Sequence, residues 1–189
     1  MIGDGALIRN CLIVNNSSVA GGGGIKGDYG IIIQNCTIAS NVVGGGGGGF
    51  DYSQYAGFPK IENTIIWGNS SGTAGASNWY VNFSNPSTTW VTFTNCCTAP
   101  DIYSNNVTGT AKGSLASGIN TITNNPRYVN NATDFRLQPD SPCINAGVNR
   151  GWMEGALDYY GNRRIDTFRK TVDIGAYEYL CPGTVFIGH

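Results

Sequence analysis

Three stretches of nine residues align without a gap: Ile8-Arg9-Asn10-Cys11-Leu12-Ile13-Val14-Asn15-Asn16, Ile33-Gln34-Asn35-Cys36-Thr37-Ile38-Ala39-Ser40-Asn41 and Ile61-Glu62-Asn63-Thr64-Ile65-Ile66-Trp67-Gly68-Asn69. A degenerate fourth, Phe93-Thr94-Asn95-Cys96-Cys97-Thr98, follows. Asn10, Asn35, Asn63 and Asn95 thus recur at intervals of 25, 28 and 32 residues. A period in this range marks a chain built by stacking one unit on the next, because a single unit cannot bury its own apolar face. The apolar positions inside each copy alternate, and Ile, Val and Thr prevail, which is a strand pattern. The runs Gly21–Gly24 and Gly44–Gly49 would weaken any helix. The expected fold is therefore all-β: a right-handed parallel β-helix of about four rungs over residues 1–100.

The alignment assigns faces. Ile8, Ile33, Ile61 and Phe93 form one inward column, and Ile13, Ile38 and Ile66 a second. Cys11, Cys36 and Cys96 lie between them as buried spacers, with Thr64 interrupting. Asn10, Asn35, Asn63 and Asn95 sit where the inward pattern changes phase. They are expected at a corner, where asparagine tolerates left-handed geometry and stacked side chains form hydrogen-bonded ladders. Asn16, Asn41 and Asn69 point to a second corner.

Composition narrows the partners. Net charge is −1 and charged residues are only 12% of the chain, so no electrostatic footprint for nucleic acid exists. No run is long enough to span a bilayer as a helix, and Met1–Asn10 lacks the pattern of a signal peptide. The first rung begins almost at Met1, so the expectation is a fragment of a longer polypeptide or a subunit that stacks end to end.

After Pro100 the pattern changes. Residues 101–124 read as a long polar loop, and residues 125–189 as a loop-rich section expected to cap the coil. Two of its runs, Leu137-Gln138-Pro139-Asp140-Ser141-Pro142-Cys143-Ile144-Asn145-Ala146-Gly147 and Val172-Asp173-Ile174-Gly175-Ala176-Tyr177-Glu178-Tyr179, resemble the choice-of-anchor Q group of bacterial parallel β-helix proteins. The repeats also look like those of autotransporter-like surface proteins. The resemblance implies an extracellular or cell-surface location, a C-terminal place in a longer chain, and no single enzyme activity.

Six cysteines permit an oxidising compartment. Cys97 follows the inward Cys96 and so faces outward, toward a covering segment. Cys143 lies in such a segment, and a Cys97–Cys143 disulfide is expected. Zinc is disfavoured: no C-x-x-C pair occurs, and the one histidine is His189.

A glycoside hydrolase needs two carboxylates flanking a bond, and a lyase needs a base near clustered acids. The repeats hold few acids. Asp28 and Asp51 both follow glycine-rich turns and are candidate ligand contacts, although surface charge is the plainer reading. Asp134, Asp158, Asp173 and Glu178 are interleaved with Arg136, Arg163, Arg164 and Arg169, which reads as structural pairing, with Ca²⁺ binding the sharper alternative. Trp90 and Tyr80 are placed outward and could stack sugars. No catalytic residue is assigned. The expected function is a non-catalytic structural or adhesive module. The alternative is a carbohydrate-binding or terminal part of a polysaccharide lyase or hydrolase.

Overall fold

A computed structural model describes residues 5–27, 30–53, 59–73, 77–82, 91–99, 120–165 and 170–180. Each aligned copy begins a tier of short strands. The first tier is β1 (Leu7–Arg9), β2 (Leu12–Val14), β3 (Ser17–Ser18) and β4 (Ile25–Gly27). The second is β5 (Ile32–Gln34), β6 (Thr37–Ala39), β7 (Val42–Val43) and β8 (Phe50–Ser53). The third is β9 (Lys60–Glu62), β10 (Ile65–Trp67), β11 (Ser70–Ser71) and β12 (Trp79–Asn82), and the fourth begins with β13 (Thr92–Thr94) and β14 (Cys97–Thr98).

Equivalent strands pair in parallel, tier on tier. Among the described residues the resulting sheets run β1-β5-β9-β13, β2-β6-β10-β14, β3-β7-β11 and β4-β8-β12. The pairing follows the sequence alignment: Ile8 faces Ile33, Ile33 faces Ile61, and Ile61 faces Phe93. Ile13, Ile38 and Ile66 form the second column. These residues, with Cys36, Cys96, Phe50, Tyr52 and Trp79, make the inner core. The loop expected over 101–124 lies largely outside the described residues, but Ile122 adds a parallel bridge onto Cys97.

The corners explain the asparagines. Asn10, Asn35, Asn63 and Asn95 all have left-handed backbones, with φ of 55°, 49°, 47° and 49°. At the second corner the left-handed residues are Asn15, Ser40 and Gly68, one before the aligned asparagines. That shift turns Asn16, Asn41 and Asn69 inward as a ladder. Each donates its Nδ2 to the next Oδ1, at 2.9, 2.9 and 3.2 Å, ending on Asn78. The first set shares a single ladder bond, from Asn63 Nδ2 to Asn35 Oδ1 at 3.3 Å. Its side chains are used differently, as described below.

The glycine runs are places where backbone stacks on backbone. Gly23 and Gly24 donate their N–H groups to Gly47 O and Gly48 O at 3.1 and 3.0 Å. A Cβ on Gly48 would stand 2.1 Å from Ser77 O. Only glycine permits that approach.

The C-terminal section contains the antiparallel hairpin β15 (Tyr128–Asn130) and β16 (Asp134–Leu137) and one short 3-10 turn at Gly151–Met153. It is not confined to the end of the stack, as a cap would be. It lies along the flank, over the sheet β2-β6-β10-β14. That sheet is apolar on both faces. Its middle residues point into the inner core, while Ala39, Ile65 and Cys97 point out into a second core with Phe135, Leu137, Cys143, Ile174 and Ala176.

Candidate functional site

The flank contact is built on the corner asparagines. Asn10 donates Nδ2 to Leu157 O at 2.8 Å, and Asn95 donates to Ala146 O at 2.9 Å. Asn63 both donates to Val148 O and accepts from Val148 N, each at 2.8 Å. The left-handed corner turns the Asn10, Asn63 and Asn95 amides out of the stack, where they read backbone on the covering segment. Across the sheet, Asn15 Nδ2 and Ser40 Oγ donate to Ala132 O and Asn131 O. The covering section therefore spans four tiers in one direction and reaches both corners in the other.

Arg164 anchors it. The side chain is fully buried, and its guanidinium donates to Asn10 Oδ1 at 2.8 Å, Gly175 O at 2.9 Å, Asn35 O at 3.3 Å and Glu178 Oε1 at 2.8 Å. The acids around it are occupied. Asp158 accepts the N–H groups of Tyr160, Asn162 and Glu178. Asp173 accepts those of Asn145 and Tyr179, and Glu178 accepts that of Asp173. Burial first, and the Asp173 carboxylate second, push the Glu178 pKa up to about 9 against the pull of Arg164. Among the described residues, no group of three or more His, Cys, Asp or Glu side chains is arranged to hold a metal ion.

Of the four residues expected to contact ligand, the structure describes two, and these lie side by side. Asp28 and Trp90 lie outside the described residues. Asp51 and Tyr80 are register partners on β8 and β12, next to Lys26 on β4. Asp51 is buried, so this row presents Lys26 and a half-buried Tyr80 to solvent rather than an open acid. Trp79 points inward and packs on Phe93, ring centroids 5.2 Å apart. Arg9, Gln34, Glu62 and Arg150 form one outer chain of hydrogen bonds, and Trp152 lies 4.0 Å beneath the Arg9 guanidinium.

Cys97 and Cys143 do meet in the second core, but as free thiols: the expected disulfide is not formed. Their mutual hydrogen bond and burial push the Cys97 pKa well above its ordinary value. Cys11 and Cys36 also touch. Cys11 is half-buried on the first tier, and the hydrogen bond from Cys36 brings its pKa down to about 6, while burial raises that of Cys36.

Sequence reasoning missed a surface groove on the covering section. It encloses about 440 Å³ and is lined in part by Val129, Arg136, Tyr160, Asn162 and Tyr177. Tyr159 and Tyr160 are large exposed rings that both pack against the buried Tyr177, at centroid distances of 5.6 Å. Arg136 lies 5.5 Å over the Tyr160 ring. Its fork is held by Asp134, with Nε–Oδ1 at 2.9 Å and Nη2–Oδ2 at 2.5 Å, which keeps the Asp134 carboxyl below the usual carboxylate range. The available signal was the adjacent pair Tyr159-Tyr160 before the turn residues Gly161-Asn162. No protein-family model, no curated protein and no solved structure matches the chain.

Proposed function

We propose that this chain is a right-handed parallel β-helix acting as a non-catalytic structural or adhesive module of an exported bacterial surface protein. One observation carries the non-catalytic part. The buried acids of the covering section, Asp158, Asp173 and Glu178, have their oxygens engaged by backbone N–H groups and Arg164. A general acid or base must reach a substrate proton, and these groups hold the covering section in place instead. The low charge and the resemblance of Leu137–Gly147 and Val172–Tyr179 to choice-of-anchor Q proteins support the surface assignment.

The test is incubation with neutral and uronate polysaccharides, read as new reducing ends or unsaturated products. The expected result is no turnover. Turnover that Asp51→Asn abolishes would replace this reading with that of a hydrolase or lyase. The second reading, a carbohydrate-binding module, is favoured by the tyrosine-lined groove.

A further inference from the structure

The groove on the covering section has three properties of a recognition site. First, its aromatic wall is exposed: Tyr160 on the lining retains 63% of its accessible surface, and the adjoining Tyr159, outside the lining, retains 54%. Monomeric proteins rarely leave large apolar surface grouped in this way without a use for it. Second, the wall is rigid. Tyr159 N donates to Ala176 O at 3.0 Å, and Asp158 Oδ1 accepts from both Tyr160 N and Asn162 N, at 2.8 and 2.7 Å. The following Gly161 takes φ of 91° and closes the turn. Tyr177 is buried behind the two rings and fixes them from the inside. Such a platform loses little freedom when a ligand binds.

Third, polar groups border the rings and retain donor capacity. Asp134 engages Nε and Nη2 of Arg136, so the guanidinium is oriented while Nη1 has no partner among the described residues. The groove volume of about 440 Å³ lies in the range of small-molecule sites, which pair apolar walls with a few placed polar groups.

We infer that this groove binds a neutral oligosaccharide segment. A sugar ring offers an apolar C–H face to a tyrosine ring and hydroxyls at its rim to a planar donor such as Arg136. Charge decides against an acidic sugar: Arg136 is the one cation on the groove lining and is already matched by Asp134, so no surplus positive charge is left to neutralise a uronate. This inference deepens the adhesive reading by naming what the module adheres to, and it rests on that reading only for its biological use.

The experiment is calorimetric titration of the intact chain with neutral gluco-, xylo- and manno-hexasaccharides, and with an oligouronate for comparison. At least one neutral series is expected to bind. Tyr160→Ala is expected to weaken it about tenfold or more, Arg136→Met to weaken it in the same direction, and Val19→Ala, an exposed position off the groove, to leave it unchanged. The Tyr160 ring is largely exposed, so its loss leaves the fold intact, which an unchanged melting temperature verifies. Absence of binding by every neutral series, or equal binding by Tyr160→Ala, overturns the site. Neither result bears on the turnover assay, so the two readings fail separately.

Discussion

At the residue scale, the corner asparagines do two jobs with one side chain. A left-handed backbone costs most residues about 1–2 kcal/mol, and asparagine tolerates it because its short amide bonds locally. Asn63, at φ of 47°, also exchanges two hydrogen bonds with Val148. Asn63→Ala is expected to lower stability by about 3 kcal/mol, from backbone strain plus buried groups left without partners. Asn63→Gly removes the strain and is expected to recover about 1 kcal/mol of that, measured by urea unfolding. The cysteines differ by environment in the same way. Cys11 is half-buried with its pKa down at about 6, while Cys36, Cys96, Cys97 and Cys143 are buried. Of these five, brief iodoacetamide treatment of the native chain at neutral pH is expected to label Cys11 first and the other four only after unfolding. Peptide mass mapping that finds Cys97 or Cys143 labelled early would contradict the second core.

At the scale of elements, the sheet β2-β6-β10-β14 needs two cores, and its strands show it: Leu12-Ile13-Val14 and Ile65-Ile66-Trp67 are apolar at every position. A strand with solvent on one side would alternate. Glu178 belongs to this layer. Its pKa is raised in the folded chain, so the folded state holds the proton more tightly than the unfolded one. The stability this group contributes is full below its ordinary value of 4.5 and is lost as pH rises toward about 9. Thermal unfolding is expected to fall in temperature across that window, and Glu178→Gln to flatten the fall. An equal slope in the variant would assign the pH dependence to another group.

For the whole molecule, Arg164 couples the stack to its flank, bonding Asn10 and Asn35 on two tiers and Glu178 within the covering section. Removing the buried guanidinium leaves Asn10 Oδ1, Gly175 O and Asn35 O without this donor, so Arg164→Met is expected to cost about 3–5 kcal/mol. Limited proteolysis should then cut first in the covering section, and adding Glu178→Gln should restore part of the loss above about pH 9, where Glu178 is ionised. Additive effects in the double variant would mean that the two side chains do not act as a pair.

How much of this could be read in the repeat is a matter of range. Spacing alone put Ile8, Ile33, Ile61 and Phe93 in one column, because parallel strands of equivalent copies meet in register and period-two alternation separates inside from outside. The corner was legible at Asn10, Asn35, Asn63 and Asn95 for the same local reason. The ladder was not. Whether Asn15 or Asn16 takes the left-handed turn decides which amides face inward, and a one-residue shift leaves the aligned sequence unchanged. The groove and the flank were further out of reach. Arg164 meets Asn10 across 154 residues, and Tyr160 becomes a platform only because Tyr177 backs it from a separate segment. Local periodicity carries the stack because each tier repeats the same short-range pattern. Contacts made once, between distant and non-repeating segments, leave no period to read, and only the folded chain brings them together.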